Sequence, residues 1–220
     1  MVLIPAPDLV VFDWDGTLSN SRDRIVACFH KALGAIGVAS PPDDVISGTI
    51  GLELPDAAAV IMPGADRARC LELTEAYRSI WLAPGAPRAK LFDGARACLE
   101  ALTSRGLPLA VATGKSRRGL DRELAETELG DFFVATRTAD ETRGKPHPMM
   151  LLELLTEIGV AASAAVMVGD TTFDLDMASN AAVPSVAIAS GTHSRDRLLA
   201  CGPRACIPAI GGFAALLGPG

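Results

Sequence analysis

The stretch VVFDWDGTL, residues 10–18, places two aspartates two positions apart at the end of an apolar run. Leu9–Phe12 contains no polar side chain and is followed by turn residues, which is the pattern of a strand buried on both faces of a parallel sheet. Asp13 and Asp15 therefore open the loop at the carboxyl end of that strand. In open α/β sheets this edge is where ligands bind.

Further short apolar runs are bounded by turn residues, as buried strands are, and amphipathic helical patterns lie between them. In the helical segments, apolar residues recur at i, i+3, i+4 and i+7, as in residues 95–102 and 151–158. Alternating strands and helices indicate βαβ units. We therefore predict an α/β fold, a doubly wound, Rossmann-like parallel sheet, with further strands at Leu109–Ala112, Ala165–Val168 and Ser185–Ile188.

Residues 19–87 interrupt the alternation, because they show helical stripes and no convincing strand. One stripe runs from Ile25 to Ile36 and another from Leu73 to Trp81, with segments rich in proline and glycine around them. We predict that residues 19–87 form an inserted α-helical cap domain on an α/β core made of residues 1–18 and 88–220.

The composition favours a globular protein without an affinity for nucleic acid. The 220 residues are 49% hydrophobic and 21% charged, and the formal net charge is −6 with no basic run. Five cysteines without C-x-x-C spacing suggest neither a disulfide framework nor a zinc site, so we expect reduced thiols in the cytoplasm. We also expect neither an export signal nor a membrane span, and leave the choice between monomer and homodimer open.

Four polar segments follow predicted strands or lie in nearby loops, and the fold would bring them to one pocket. Three or four carboxylates in one place require a cation, and oxygen ligands select a hard ion such as Mg²⁺, which shares its shell with a substrate phosphate. Asp170 would be a metal ligand, and Asp174 would support the ligands from one helical turn away. The segments are Asp13–Thr17, Thr113–Ser116, Gly144–Pro146 and Gly169–Asp174.

Other residues of these segments suit individual steps of phosphoryl transfer. Asp13 is the candidate nucleophile, which would form an acyl phosphate. Asp15 is expected to project from the same side and to act as general acid and then as general base. Thr113 and Gly114 would cradle the phosphate near a helix N-terminus, and the Lys145 ammonium would stabilise the phosphoryl charge.

Taken in order, these motifs resemble the haloacid dehalogenase (HAD) superfamily: Asp13-x-Asp15-Gly-Thr, then Thr113, then Lys145-Pro, then Gly-Asp170-x-x-x-Asp174. The helical insertion resembles the phosphoglycolate-phosphatase-like subgroup with a helical cap. The resemblance implies an aspartyl-phosphate intermediate and a cap that closes over the substrate. It also implies Mg²⁺ bound by the Asp13 side chain, the Asp15 backbone carbonyl and Asp170.

The resemblance leaves rival functions to weigh against a phosphatase for a small phosphomonoester. A haloalkanoate dehalogenase would not need Asp15, whose presence argues against that reaction. A β-phosphoglucomutase-like phosphomutase would share every core motif and differ only in the fate of the phosphoryl group. A catalytically silent binding module should have lost one of the chemical residues, and all are present.

The sequence says less about which ester is hydrolysed. Gly51–Pro55 and Tyr77-Arg78 of the cap are candidates to face the pocket, and the shortage of aromatic residues suggests no clamp for a ring. This mildly favours phosphoglycolate or a sugar phosphate. Gly114 stands where family members commonly have asparagine, and Lys115 is expected to be a solvated charge at a helix start.

Overall fold

In the computed structural model, residues 3–218 are described, and they form one parallel six-stranded sheet flanked by helices. The strands lie in the order β3-β2-β1-β4-β5-β6, and every neighbouring pair is parallel. This confirms the predicted doubly wound α/β fold. The strands are β1 Leu9–Phe12, β2 Leu109–Thr113, β3 Ala135–Thr138, β4 Ala165–Gly169, β5 Ser185–Ile188 and β6 Ala205–Ile207.

The helices fall into two groups along the chain. Four of them follow one another between β1 and the rest of the sheet: α1 Arg22–Ala35, α2 Asp43–Ser47, α3 Leu54–Ile61 and α4 Arg67–Trp81. The others connect or follow the strands: α5 Ala95–Thr103, α6 Arg117–Thr127, α7 Met149–Ile158, α8 Thr172–Asn180, α9 Arg195–Ala200 and α10 Phe213–Leu216.

Successive side chains of β1 enter two separate apolar layers, because side chains alternate between the faces of a strand. Val10 and Phe12 pack in a cluster that includes residues of α5 and α10. Leu9 and Val11 pack in a second cluster with residues of α7 and α8. All four β1 side chains are fully buried, which is why the strand has no polar position until Asp13.

The α1–α4 segment has an apolar cluster of its own. Side chains from all four helices meet in it, among them Phe29, Ile46, Ala58 and Leu73. The helical character predicted for residues 19–87 is therefore observed, while the division of the chain into a core and a cap domain stays a prediction. Within residues 3–218, no helix is both long enough and apolar enough to span a membrane.

The sheet positions a site where its winding changes direction. β1 lies between β2 and β4, so the strand order reverses beside it. Asp13 follows β1, Thr113 ends β2 and Asp170 follows β4. Ligands of open α/β sheets bind in the crevice at such a point, outside the carboxyl ends of the strands.

Candidate active site

Three buried aspartates meet at the carboxyl ends of β1 and β4. One carboxylate oxygen from each of Asp13, Asp170 and Asp174 lies within 4.8 Å of the others. The Asp13 amide donates to the Val168 carbonyl at 2.9 Å, so the β1–β4 ladder continues into the site and fixes the Asp13 backbone. The sequence predicted this convergence.

Lys145 is the cation of the cluster. Its Nζ lies 2.5 Å from Asp13 Oδ1 and 2.6 Å from Asp174 Oδ1, and its side chain is fully buried. Burial disfavours the charged form of the lysine. The attraction of the Asp13 and Asp174 carboxylates is the larger effect and holds the pKa of Lys145 above its usual value. One ammonium therefore faces three carboxyl groups, which leaves the cluster rich in negative charge.

The pKa values of the aspartates reflect that imbalance. Burial raises the pKa of Asp13 well above its usual value; Lys145 opposes this shift, while Asp174 and Asp170 add to it. Burial and the neighbouring Asp174 raise the pKa of Asp170 to about 7. Asp13 Oδ2 is buried and has no hydrogen-bond partner. An oxygen-only donor set with an unpartnered oxygen fits a hard divalent cation.

The loops around Asp170 leave room for its carboxylate because two of their residues are glycines. A Cβ on Gly16 or on Gly191 would lie 2.2 Å from Asp170 Oδ2, and Gly16 also has a φ of +92°. Asp170 Oδ1 accepts from the Thr17 hydroxyl at 2.8 Å, and Oδ2 accepts from the Thr192 amide at 2.7 Å. These contacts orient Asp170 towards the cluster.

Asp174 is held by the start of α8. Asp174 Oδ2 accepts from the Thr171 amide at 3.0 Å, while the Thr171 hydroxyl accepts from the Asp174 amide at 3.3 Å. This reciprocal pair is a capping box. With its second oxygen on Lys145, Asp174 aligns the lysine with Asp13.

The Asp15 carboxylate is not part of the cluster formed by Asp13, Asp170 and Asp174. Both Asp15 oxygens lie 2.9 Å from Lys115 Nζ, and Oδ1 accepts from the Ser21 hydroxyl at 2.5 Å. Asp13 and Asp15 nevertheless line the same cavity.

Lys115 is buried, so the expectation of a solvated charge was wrong. Besides Asp15, it lies 3.2 Å from Glu123 Oε1, and Glu123 is itself completely buried. Glu123 Oε2 also accepts from the Trp14 indole at 2.6 Å, and Arg24 Nη1 lies 3.4 Å from Oε1. Burial raises the pKa of Glu123, and Lys115 counters part of this effect.

Sequence reasoning missed Glu123, although a signal for it exists. Leu120, Glu123, Leu124 and Thr127 follow the i, i+3, i+4, i+7 spacing of the inner face of α6. A carboxylate on such a stripe requires a buried cation, because an unpaired charge is rarely buried.

Thr113 and Gly114 lie where the sequence predicted, on the cavity beside Asp13. The Thr113 hydroxyl accepts from the Lys115 amide at 3.2 Å. A Cβ on Gly114 would lie 2.7 Å from the backbone oxygens of both Gly51 and Leu52. Glycine is therefore required here because the α2–α3 loop packs directly on this residue, and an asparagine would push that loop away.

Comparisons with known proteins identify the family of the chain. A profile of the family described as haloacid dehalogenase-like hydrolase matches residues 10–188. The chain is 33% identical over 204 residues to "Probable phosphatase IndB" of Dickeya dadantii, across 90% of this chain and 88% of that protein. It is 32% identical over 205 residues to a phosphoglycolate phosphatase of Rhodospirillum rubrum, across 89% and 85%.

A solved structure shares the whole architecture. A haloacid dehalogenase-like family hydrolase from Streptococcus pneumoniae superposes with a TM-score of 0.81 at 25% identity, across 96% of this chain and 97% of that one. The resemblance predicted from the ordered motifs, including that to phosphoglycolate-phosphatase-like proteins, is confirmed. The chain belongs to the haloacid dehalogenase-like hydrolase family.

Proposed function

We propose that this hydrolase is a Mg²⁺-dependent phosphatase that acts on a small phosphomonoester through an aspartyl-phosphate on Asp13. The observation that carries the proposal is the state of the Asp13 carboxylate. Lys145 fixes Oδ1, while Oδ2 is buried without a partner. Asp13 also lines a cavity that is bordered on its other side by residues of α1–α4 and their loops. A fixed carboxylate facing a cavity is what a nucleophile requires.

The residues present fit a magnesium ion. Asp13 and Asp170 would hold it with their carboxylates and Asp15 with its backbone carbonyl. When bound, Mg²⁺ would offset the charge of the cluster and polarise the phosphoryl group. Asp174 is engaged by Lys145 and by Thr171, so its proposed role is to position the others.

The chain's own residues account for the remaining chemistry. Asp13 attacks phosphorus and the bond to the leaving oxygen breaks, after which water attacks the acyl phosphate. Asp15, oriented by Lys115 and Ser21, protonates the leaving oxygen and then takes a proton from that water. Lys145 stabilises the negative oxygens throughout, because a fixed ammonium in a water-poor site costs no reorganisation.

Thr113 and Gly114 are the proposed phosphate-binding pair. Both border the cavity next to Asp13, immediately before α6. The hydroxyl of Thr113 and the amide of Gly114 would donate to phosphoryl oxygens near the helix N-terminus.

Residues 19–87 are proposed to act as a cap over this site, on a core of residues 1–18 and 88–220. The support is that α1–α4 pack around their own apolar cluster, while several of their side chains border the cavity. Phosphoglycolate and sugar phosphates are the esters that the resemblance suggests, and the cap side of the cavity would choose among esters.

The test is hydrolysis of a generic aryl phosphate with and without Mg²⁺. We expect Asp13→Asn to abolish turnover because the amide is not nucleophilic, and chelation of divalent ions to do the same. Asp8→Asn is a matched control, since Asp8 is exposed. Normal rates in Asp13→Asn would refute the nucleophile, and normal rates after chelation would refute the metal.

A further inference from the structure

The cavity that Asp13 lines has an apolar wall, whose residues also belong to the apolar cluster of α1–α4. The helical segment supplies it, and its rings stack on one another. The Phe29 and Tyr77 ring centroids are 4.4 Å apart, and those of Tyr77 and Trp81 are 5.6 Å apart with planes inclined by 17°. These rings stack on one another, so whether they also clamp a ring of the substrate stays a prediction. The wall comprises Phe29, Ile50, Leu52, Leu54, Tyr77 and Trp81.

Each cation on this cavity already has a carboxylate partner. Within residues 3–218, the cationic side chains that border it are Lys115 and Arg78. Lys115 is buried between Asp15 and Glu123, at 2.9 Å and 3.2 Å from their oxygens. Arg78 Nη1 lies 2.6 Å from Glu75 Oε1. A second acidic group on a substrate would compete with these carboxylates for the two cations.

We propose that the leaving group of the substrate is uncharged and apolar, aliphatic or aromatic, and that the enzyme discriminates against esters with a second acidic group. Placing a carboxylate against an apolar wall removes its water without a compensating partner. An apolar group gains from the same burial, and binding sites lined in this way select such ligands. The inference rests on the proposed phosphatase function. The reaction balances as ester and water giving a neutral alcohol and inorganic phosphate.

The experiment compares kcat/KM for three phosphate esters of primary alcohols. Ethyl phosphate and 2-phosphoglycolate differ by a methyl group against a carboxylate, and benzyl phosphate adds an aromatic ring. We expect the order benzyl, then ethyl, then phosphoglycolate, with steps of about tenfold or more.

A charge placed on the wall should reverse part of this preference. Leu52→Lys adds a cation to the wall, and we expect it to raise the ratio of phosphoglycolate to ethyl phosphate by about tenfold. Leu71→Lys adds the same charge on an exposed position of α4 and should leave the ratio unchanged.

The outcomes separate this inference from the function on which it rests. If phosphoglycolate is turned over as fast as ethyl phosphate, the inference is overturned. Loss of that rate in Arg78→Gln would show that Arg78 binds the carboxylate. If the generic aryl phosphate is hydrolysed but kcat/KM is no higher for benzyl phosphate than for ethyl phosphate, the inference fails while the proposed phosphatase function is supported. If no ester is hydrolysed, both fail.

Discussion

Without divalent ions, the protein should be more stable in mild acid than at neutral pH. Asp170 is buried next to Asp174, and burial together with that carboxylate raises its pKa to about 7. The folded state therefore binds the Asp170 proton more tightly than the unfolded state does. Its contribution favours folding at low pH and is lost as the pH rises through the interval between the two pKa values.

The size of the effect follows from that interval. The ordinary value is 3.8 and the folded value is about 7, a separation of roughly three pH units. Each unit corresponds to about 1.4 kcal/mol, so the free energy of unfolding should fall by up to about 4 kcal/mol between pH 4 and pH 7.5. Asp13, whose pKa burial also raises, adds to the fall.

Urea denaturation at several pH values, in EDTA and in excess Mg²⁺, measures this. Asp170→Asn is the control, because it removes the titrating group. His193, whose pKa burial lowers, contributes the opposite slope, and the comparison with Asp170→Asn cancels it. We expect Mg²⁺ to abolish most of the fall, since a cation binds the ionised form. If the stability of the wild type in EDTA changed with pH in the same way as that of Asp170→Asn, the reasoning would be refuted.

Three further substitutions test separate parts of the site. Gly114→Ala should destabilise by about 1–3 kcal/mol in urea denaturation, because its Cβ would lie 2.7 Å from two backbone oxygens, whereas Gly130→Ala meets nothing within 4 Å and should cost less; equal effects would contradict the clash. Glu123→Gln should cost about 3 kcal/mol by leaving Lys115 short of a buried partner, and a neutral result in the same assay would mean that the pair contributes nothing. Asp15→Asn should slow hydrolysis of aryl phosphate by about 10²–10⁴-fold in protein that thermal unfolding shows to be folded at the assay temperature, and stopped-flow traces showing neither half-reaction slowed would exclude Asp15 as acid and base.

Strands in the middle of the sheet could be predicted from the sequence, and those at its edges could not. β1 and β5 have the predicted bounds, because central strands are apolar along their whole length. β3 and β6 were missed. In β3 only Thr138 is buried, and β6 has three residues of which only Ile207 is buried. An edge strand pairs on one side alone, so it lacks the continuous apolar run that identifies a buried strand.

The acidic cluster was predictable because parallel strands end at one edge of the sheet. This brings Asp13 and Asp170 together regardless of the conformation of the loops. The stripe on α6 indicates that Glu123 is buried, but the pairing of Glu123 with Lys115 was not predictable, since neither residue shows its partner in the local sequence. The aromatic wall was predictable only in part. Tyr77 and Trp81 are four residues apart on one helical stripe, but only the packing of α1 against α4 brings Phe29 onto them.

The most direct test of the account is to find where the phosphoryl group goes. Asp15→Asn, in which breakdown of the intermediate is expected to be slow, is mixed with an aryl phosphate and Mg²⁺, quenched in acid during turnover and analysed by peptide mass spectrometry. The account predicts the mass of one phosphoryl group on the peptide that contains Asp13, and none in Asp13→Asn. A phosphoryl group on another residue, or turnover with no labelled enzyme at any time, would contradict it.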